Sequence, residues 1–375
     1  TCRAWAWRSS RSWPDPPAAS SAADRQRVPF PAIRDGAGTG LWHDASLTLP
    51  DDTMKSYRLA DDLTVSRIGY GCMHLSRAWD ASPITTEERR NAQRLVETAL
   101  AHGITLFDHA DIYARGKSEQ VFGDVLRASP GLRAKMVLQS KCGIRFADDP
   151  PGAPQRYDFS HAHIVASVEG SLARLGVDHL DILLLHRPDP LVEPDEVARA
   201  FDALHASGKV RHFGVSNHTP GQIDLLRRHV RQPLVANQVE ISLLHLPLID
   251  EGVVANTTGH AYASAARTLD YCRLHDIRVQ AWSPLASGKL ASTSEFSDPA
   301  VRDTATLLRQ LADAKGVTPE AIQLAWLLRH PAGIQPIVGT TDPVRLVACA
   351  AADEVPLSRE EWYALFTAAR GGRVP

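Results

Sequence analysis

Cysteine is scarce. The 375-residue chain holds five, Cys2, Cys72, Cys142, Cys272 and Cys349, widely scattered and with no CxxC pair. An odd, dispersed set suggests neither a disulfide framework nor a zinc site, so a reduced, cytoplasmic chain with no metal is the simplest expectation. Long apolar runs are missing too. None approaches the roughly 20 residues that a bilayer-spanning helix needs, so no membrane partner is expected. Charge of one sign is also lacking, with 41 Lys and Arg against 43 Asp and Glu. That balance gives no reason to expect nucleic acid as a partner. With 44% hydrophobic and 22% charged residues, the chain has core enough for one large globular domain or two small ones.

Residues 1–53 differ in character from the rest. They carry Trp5, Trp7, Trp13 and Trp42 among many Pro and Ser and scattered Arg, with no helical or strand period. No apolar h-region marks a secretory signal, and the prolines oppose the amphipathic helix of a transit peptide. The expectation is a disordered extension or an artefact of start-site choice. Met54 then opens a single domain over 54–375.

From Met54 a rhythm repeats. Short β-rich apolar runs occur at Val65–Gly71, Thr105–His109, Lys135–Lys141, Leu180–His186, Val210–Ser216, Val235–Glu240, Arg278–Ser283 and Gln335–Gly339. Helical periods separate them: Thr86–His102, Ser118–Ala128, His161–Leu175, Pro194–Ser207, Pro220–His229, Ala263–Leu274, a long stretch Asp303–Arg329, and Pro343–Ala352. Gly103, Gly176 and Gly208 fall just past helix ends, where a left-handed residue is needed. A doubly wound open sheet also alternates strand and helix. Eight strand–helix units favour a parallel (β/α)8 TIM barrel, with Leu357–Ala369 as an extra C-terminal helix. The long connection Leu246–Tyr262 after the sixth strand reads as a mobile insertion.

In such a barrel the functional rim lies at the carboxyl ends of the strands. There the apolar runs end in polar groups. TLFDHADIY (105–113) delivers Asp108 with Tyr113 just beyond, the third run ends in Lys141, and the fourth in His186. Later runs end in Ser216-Asn217, Gln238, Trp282-Ser283 and Gly339-Thr340. A single strand-end His or Lys is usually just packed or solvated; the conjunction carries the information. A phenol with a pKa of about 10 is a weak acid at neutral pH. A nearby ammonium favours the phenolate and lowers that pKa. A carboxylate holds the ammonium and compensates its burial. An imidazole beside the phenol can donate to a substrate oxygen. Asp108, Tyr113, Lys141 and His186 would together protonate a carbonyl oxygen that accepts charge, with a nicotinamide as the obvious hydride source.

The stretches GYGCMHL (69–75), FDHADIY (107–113), SKCGI (140–144), DHLDILLLHRPDP (178–190), SGKVRHFGVSN (207–217), NQVEIS (237–242), AWSPL (281–285) and PIVGTTDPVRL (336–346) together resemble the aldo-keto reductases. The sequence is most similar to a bacterial branch of uncharacterised NADP-dependent oxidoreductases. The stretches run in family order and span essentially Met54 to the C-terminus.

The resemblance implies NADPH-dependent reduction of a small aldehyde or ketone by a monomer or weak oligomer. It implies Tyr113 as general acid, Lys141 as its partner, Asp108 as the carboxylate holding Lys141, and His186 as the substrate-orienting donor. It implies cofactor contacts at Gly71, Cys72, Met73 and Asp108. Ser216, Asn217 and Gln238 would hold the carboxamide, and Trp282 would stack on the nicotinamide. Ser283, Pro284, Leu285 and Ser287 would serve the pyrophosphate. Gly339, Thr340 and Arg345 would lie at the adenosine 2′-phosphate. Gly339 replaces a basic residue common in the family, and Ala348 and Cys349 stand where polar contacts to adenine are often found. The NADP preference therefore rests mainly on Arg345.

Three other patterns lead elsewhere. GAGTG (36–40) follows no strand and lacks GxGxxG spacing. Tyr113 and Lys117 have Tyr-x-x-x-Lys spacing, but Gly116 opposes the helix that this pair needs, so Lys117 reads as a solvated loop residue. His109, His161, His163 and Asp189 lack the spacing of a metal-hydrolase site. Asp111 reads as a helix-start or loop residue, and His109 as a packing one. The alternative function is a nicotinamide-binding regulatory module with little turnover.

Overall fold

The computed structural model describes residues 54–254, 267–291 and 296–375; the expectation for residues 1–53 lies outside them. The described chain opens with an antiparallel hairpin, β1 (Ser56–Ala60) and β2 (Leu63–Ser66). Parallel strands follow: β3 (Gly69–Gly71), β4 (Leu106–Asp108) and β5 (Val137–Cys142). A small hairpin, β6 (Ile144–Arg145) and β7 (Arg156–Tyr157), interrupts the series. It resumes with β8 (Leu180–Leu185), β9 (Val210–Ser216), β10 (Leu234–Glu240), β11 (Arg278–Trp282) and β12 (Gln335–Val338). These eight parallel strands close into a barrel, with β12 pairing back to β3 through Ile337 opposite Gly69.

Helices cover the outside. In chain order they are α1 (Thr86–Ala101), α2 (Lys117–Ala128), α3 (His161–Leu175), α4 (Pro194–Ala206), α5 (Pro220–Arg227), α6 (Pro247–Asp250) and α7 (Thr268–Leu274). Then come α8 (Pro299–Lys315), α9 (Pro319–Leu328), α10 (Pro343–Ala350) and α11 (Arg359–Arg370). Because helices cover the strands outside and side chains fill the barrel within, strands are buried on both faces; all six residues of β8 are buried. Local chemistry sets the helix ends. Thr85 and Glu88 form a reciprocal capping box at α1. Gly103, Gly176 and Gly208 adopt φ of +77°, +68° and +71°, as expected past helix ends. At Gly123 in α2, a Cβ would lie 2.3 Å from the carbonyl oxygen of Arg174, so only glycine lets α2 and α3 approach this closely.

The run Val65–Gly71 is two strands, not one. Leu63 and Val65 of β2 pack with Leu106, Ile182, Leu184, Val235, Ala236 and Ile337, as a separate hairpin against the barrel residues. Both pieces are buried, so hydrophobicity alone does not mark the break between them. The stretch Asp303–Arg329 is also divided. Gly316 takes φ +66° at the end of α8, and Thr318 caps α9 with Pro319 in its first turn. The connection after β10 contains the short helix α6, whose Asp250 pairs with Arg370 of α11. Residues 255–262 of that connection, and 263–266 of the helix expected before Leu274, lie outside the described residues.

The C-terminal helix is anchored by two indoles. Trp326 of α9 and Trp362 of α11 stack at 5.2 Å. Each indole N–H donates to the other residue's carbonyl, at 3.2 and 3.0 Å. Among the described residues no helix is long and apolar enough to cross a membrane.

Candidate active site

Asp108 is the last residue of β4, and Lys141 is next to last in β5. Their side chains meet inside the rim. Lys141 Nζ lies 2.7 Å from each carboxylate oxygen of Asp108 and 2.8 Å from the carbonyl oxygen of His109. It also donates to the phenolic oxygen of Tyr113 at 3.1 Å. Only 1% of Lys141 and 2% of Asp108 is exposed. A buried ammonium costs several kcal/mol unless its protons are satisfied, and here the surrounding oxygens satisfy them. The two carboxylate contacts raise the Lys141 ammonium above its ordinary pKa even though burial opposes them, so the amine stays charged.

Tyr113 opens a turn in which Ala114, Arg115 and Gly116 all have positive φ, at +48°, +56° and +85°. Two non-glycine residues in that region cost on the order of 1–3 kcal/mol each. Arg115 helps hold the turn by donating to the carbonyl of Trp79 at 2.8 Å. The ammonium beside Tyr113 does pull its phenol pKa down, as expected. Burial pushes it up by more, and the net direction is upward. The expected net fall is therefore corrected: the phenol is held protonated at neutral pH.

His186 follows β8 and stands edge-on to the Tyr113 ring, with centroids 5.9 Å apart. Burial pushes its imidazole well below the ordinary pKa, and Lys141 and Arg187 push the same way. The ring is neutral at pH 7. Its Nδ1 is buried and finds no hydrogen-bond partner among the described residues.

A second cluster adjoins the first. Ser216 ends β9, and its hydroxyl donates to the Gln238 carbonyl at 2.7 Å. Asn217, at φ +60°, donates to the Ser216 hydroxyl at 2.9 Å and to the His186 carbonyl at 3.2 Å. The Trp282 indole N–H donates to Asn217 Oδ1 at 3.0 Å. Past Trp282 the chain winds through Ser283, Ala286, Ser287 and Gly288, all with positive φ between 47° and 76°. Pro284 is buried and Leu285 half-buried within this bend. Arg345 of α10 lies beside Gly288 and pairs with Glu320 at 3.2 Å. Thr340 accepts from the Asp342 backbone at 3.2 Å, ahead of α10. Gly339 is exposed. Gly71 pairs in register with Asp108, Cys72 is fully buried, and Met73 is partly exposed.

Other candidates fall elsewhere. Lys117 is not a solvated loop residue: it begins α2 and is buried. Its amine is held by the carbonyl of Ser82 at 3.2 Å and by Asp80 at 3.4 Å. His109 packs against Phe122 at 4.5 Å, and burial pushes its imidazole down to about 3. Asp111 lies in the turn before Tyr113; burial, then the Glu119 charge, raise its carboxyl to about 7. Asp189 accepts backbone N–H groups from Phe159 and Leu191.

Two neighbours escaped the sequence reading. Gln139 donates to Asp108 at 2.6 Å, and Arg187 lies 5.5 Å over the Trp282 ring. Gln139 did leave a signal: an amide interrupts the apolar run MVLQSK at an inward-facing position.

The donor set fits a nicotinamide dinucleotide. A flat indole stands beside hydroxyl and amide groups suited to a carboxamide. A run of left-handed backbone and the cation Arg345 follow, where phosphates would lie. Comparison with known proteins agrees, since the family model described as "Aldo/keto reductase family" matches residues 67–369. The chain belongs to the aldo/keto reductase family. It is 39% identical over 325 residues to "Uncharacterized oxidoreductase YcsN" of Bacillus subtilis, covering 86% of this chain and all of that protein. It is 38% identical over 323 residues to "6-dehydroglucose reductase" of Agrobacterium fabrum, with the same coverage of 86% and 100%. The glycerol dehydrogenase AKR11B4 from Gluconobacter oxydans superimposes with a TM-score of 0.67 at 26% identity, covering 81% of this chain and 91% of that one. This aldo/keto reductase is an NAD(P)H-dependent oxidoreductase that acts on small-molecule carbonyl compounds.

Proposed function

We propose that the protein reduces an aldehyde or ketone to the alcohol with NADPH, and that Tyr113, Lys141, Asp108 and His186 carry the proton chemistry. The observation behind this reading is the 3.1 Å contact between Lys141 Nζ and the Tyr113 phenol, with the ammonium clamped by both oxygens of Asp108. When bound, the reduced nicotinamide supplies a hydride to the carbonyl carbon. Tyr113 gives its phenolic proton to the carbonyl oxygen as charge develops there. Lys141 stabilises the phenolate left behind, and Asp108 fixes Lys141. Neutral His186 donates an N–H to the same oxygen and orients it. Water returns the proton to Tyr113 after release of the alcohol.

Ser216, Asn217 and Gln238 would hold the carboxamide and Trp282 the ring face. The bend from Ser283 through Ser287 would take the pyrophosphate. Arg345 and Thr340 would take the 2′-phosphate, with Gly71, Cys72, Met73 and Gly339 lining the approach. The cofactor preference for NADPH rests on Arg345. The domain is read as 54–375, in a cytoplasmic monomer or weak oligomer.

The alternative of a binding module with little turnover gains nothing from the comparisons, and the meeting of all four groups favours catalysis. The test is consumption of NADPH and NADH across aldehydes, ketones and quinones. The name of the Agrobacterium relative adds a sugar aldehyde to that panel. Tight NADPH binding with no turnover on any substrate would contradict the proposal.

A further inference from the structure

Beneath the Asp108–Lys141 pair the barrel interior carries a polar layer. Four glutamines, Gln139, Gln238, Gln280 and Gln335, project inward from β5, β10, β11 and β12, and each is no more than 2% exposed. Gln139 Nε2 donates to Asp108 Oδ1 at 2.6 Å and to Gln280 Oε1 at 2.9 Å. Gln280 Nε2 returns a bond to Gln139 Oε1 at 3.0 Å and donates to Gln335 Oε1 at 3.0 Å. Gln238 donates to the same Gln280 Oε1 at 3.1 Å. Gln335 ends the chain on the Ser66 carbonyl at 2.6 Å.

The orientations are not free. An ionised carboxylate can only accept, so Gln139 must turn an N–H toward Asp108. That leaves its oxygen for Gln280, whose amide is fixed in turn. Reversing either amide would bring like groups together and strand buried donors without partners. Fully satisfied buried networks of this kind are stiff. In-register pairing of Asp108 with Gln139 adds a backbone constraint to the side-chain one.

We propose that Gln139, braced by Gln280, is a positioning residue for the acid–base group. It fixes the Asp108 carboxylate, and through it the Lys141 ammonium, at the reach needed to serve Tyr113. Gln280 also ties this assembly to Gln238 on the cofactor side of the rim. The inference rests on the carbonyl-reductase reading above.

The test compares Gln139→Met and Gln139→Glu with the unaltered full chain, using an aldehyde that the latter reduces. Gln139→Met keeps the side-chain length and loses the donor. It should lower kcat by about 30-fold or more, with KM and the NADPH Kd, read by quenching of indole fluorescence, within about 3-fold. Gln139→Glu can donate only while protonated. Its kcat should recover toward the unaltered value as pH falls and drop as pH rises, a titration absent from the unaltered protein.

A kcat within about 3-fold for Gln139→Met overturns the proposal. So does a loss in which Kd worsens as much as kcat, or a Gln139→Glu variant with the unaltered pH profile or with no activity at any pH. If Gln139→Met does not fold, the profile of Gln139→Glu decides alone. Absence of carbonyl reduction by the unaltered chain would instead defeat the underlying reading. Activity there together with full activity of Gln139→Met defeats only this inference.

Discussion

Lys141, not Lys117, is the lysine that meets Tyr113: its amine lies 3.1 Å from the phenolic oxygen. Lys117 is four residues from the tyrosine in sequence, yet its amine is spent on Ser82 and Asp80. The two substitutions therefore separate. Lys141→Met should reduce kcat by about 100-fold or more, because the phenolate loses its counter-charge. Lys117→Met should leave kcat within about 3-fold and instead cost about 1 kcal/mol of stability, as hydrogen bonds to the loop are lost. Steady-state kinetics paired with urea unfolding of both variants checks this, and the reverse pattern would refute the assignment.

Arg345 is paired with Glu320 at 3.2 Å while still 43% exposed. A 2′-phosphate placed there would compete for the guanidinium. Arg345→Met should weaken NADPH binding by about 10-fold and leave NADH binding within about 2-fold, since each 1.4 kcal/mol is a factor of ten. Glu320→Gln should act oppositely and tighten NADPH selectively. Titration of each cofactor by indole fluorescence gives both numbers. Equal losses for the two cofactors would remove Arg345 from the specificity argument.

Histidines held out of water weaken the fold as pH falls. Burial depresses the imidazoles of His109 to about 3, and of His218 and His330 to about 4. In the unfolded chain each would titrate near 6.5. Folded values below unfolded ones mean that their contribution is fully present above about pH 6.5 and is lost as pH falls toward 4. Asp111, raised to about 7, has the opposite sign: its contribution is present below about 4 and is lost as pH rises through 7. Three groups outweigh one between pH 6.5 and 4. The free energy of unfolding, and the midpoint with it, should fall steeply over that range, the former by about 2 kcal/mol for each histidine at pH 5. A midpoint independent of pH there would count against these burials.

The barrel was legible because its strands and helices differ in period, and because its rim residues end apolar runs. Asp108, Lys141 and His186 could be found that way, since a strand end fixes where a side chain emerges. Tyr113 lies beyond its strand, and only its chemistry pointed to it. The break in Val65–Gly71 was hidden because β2 and β3 are both buried and hydrophobicity reports burial, not partner. Lys117 misled because a lysine at a helix start ordinarily reaches water, whereas here the loop around Asp80 folds over it. The upward shift of the Tyr113 phenol was also out of reach, since burial and a nearby ammonium oppose each other and only packing decides the winner. Gln139 and Gln280 read as interruptions of apolar runs, and their partners come from strands far apart in sequence.

The proton donor is the heart of the account, and Tyr113→Phe isolates it, because the change removes one oxygen and leaves the ring against His186. The measurement is NADPH oxidation with a good aldehyde substrate beside NADPH affinity read from indole quenching. Turnover should fall by about 1,000-fold while Kd stays within about 3-fold, because the phenol acts only in the transition state. A Tyr113→Phe enzyme that still reduces the aldehyde at near the original rate would place the proton source elsewhere and contradict the account.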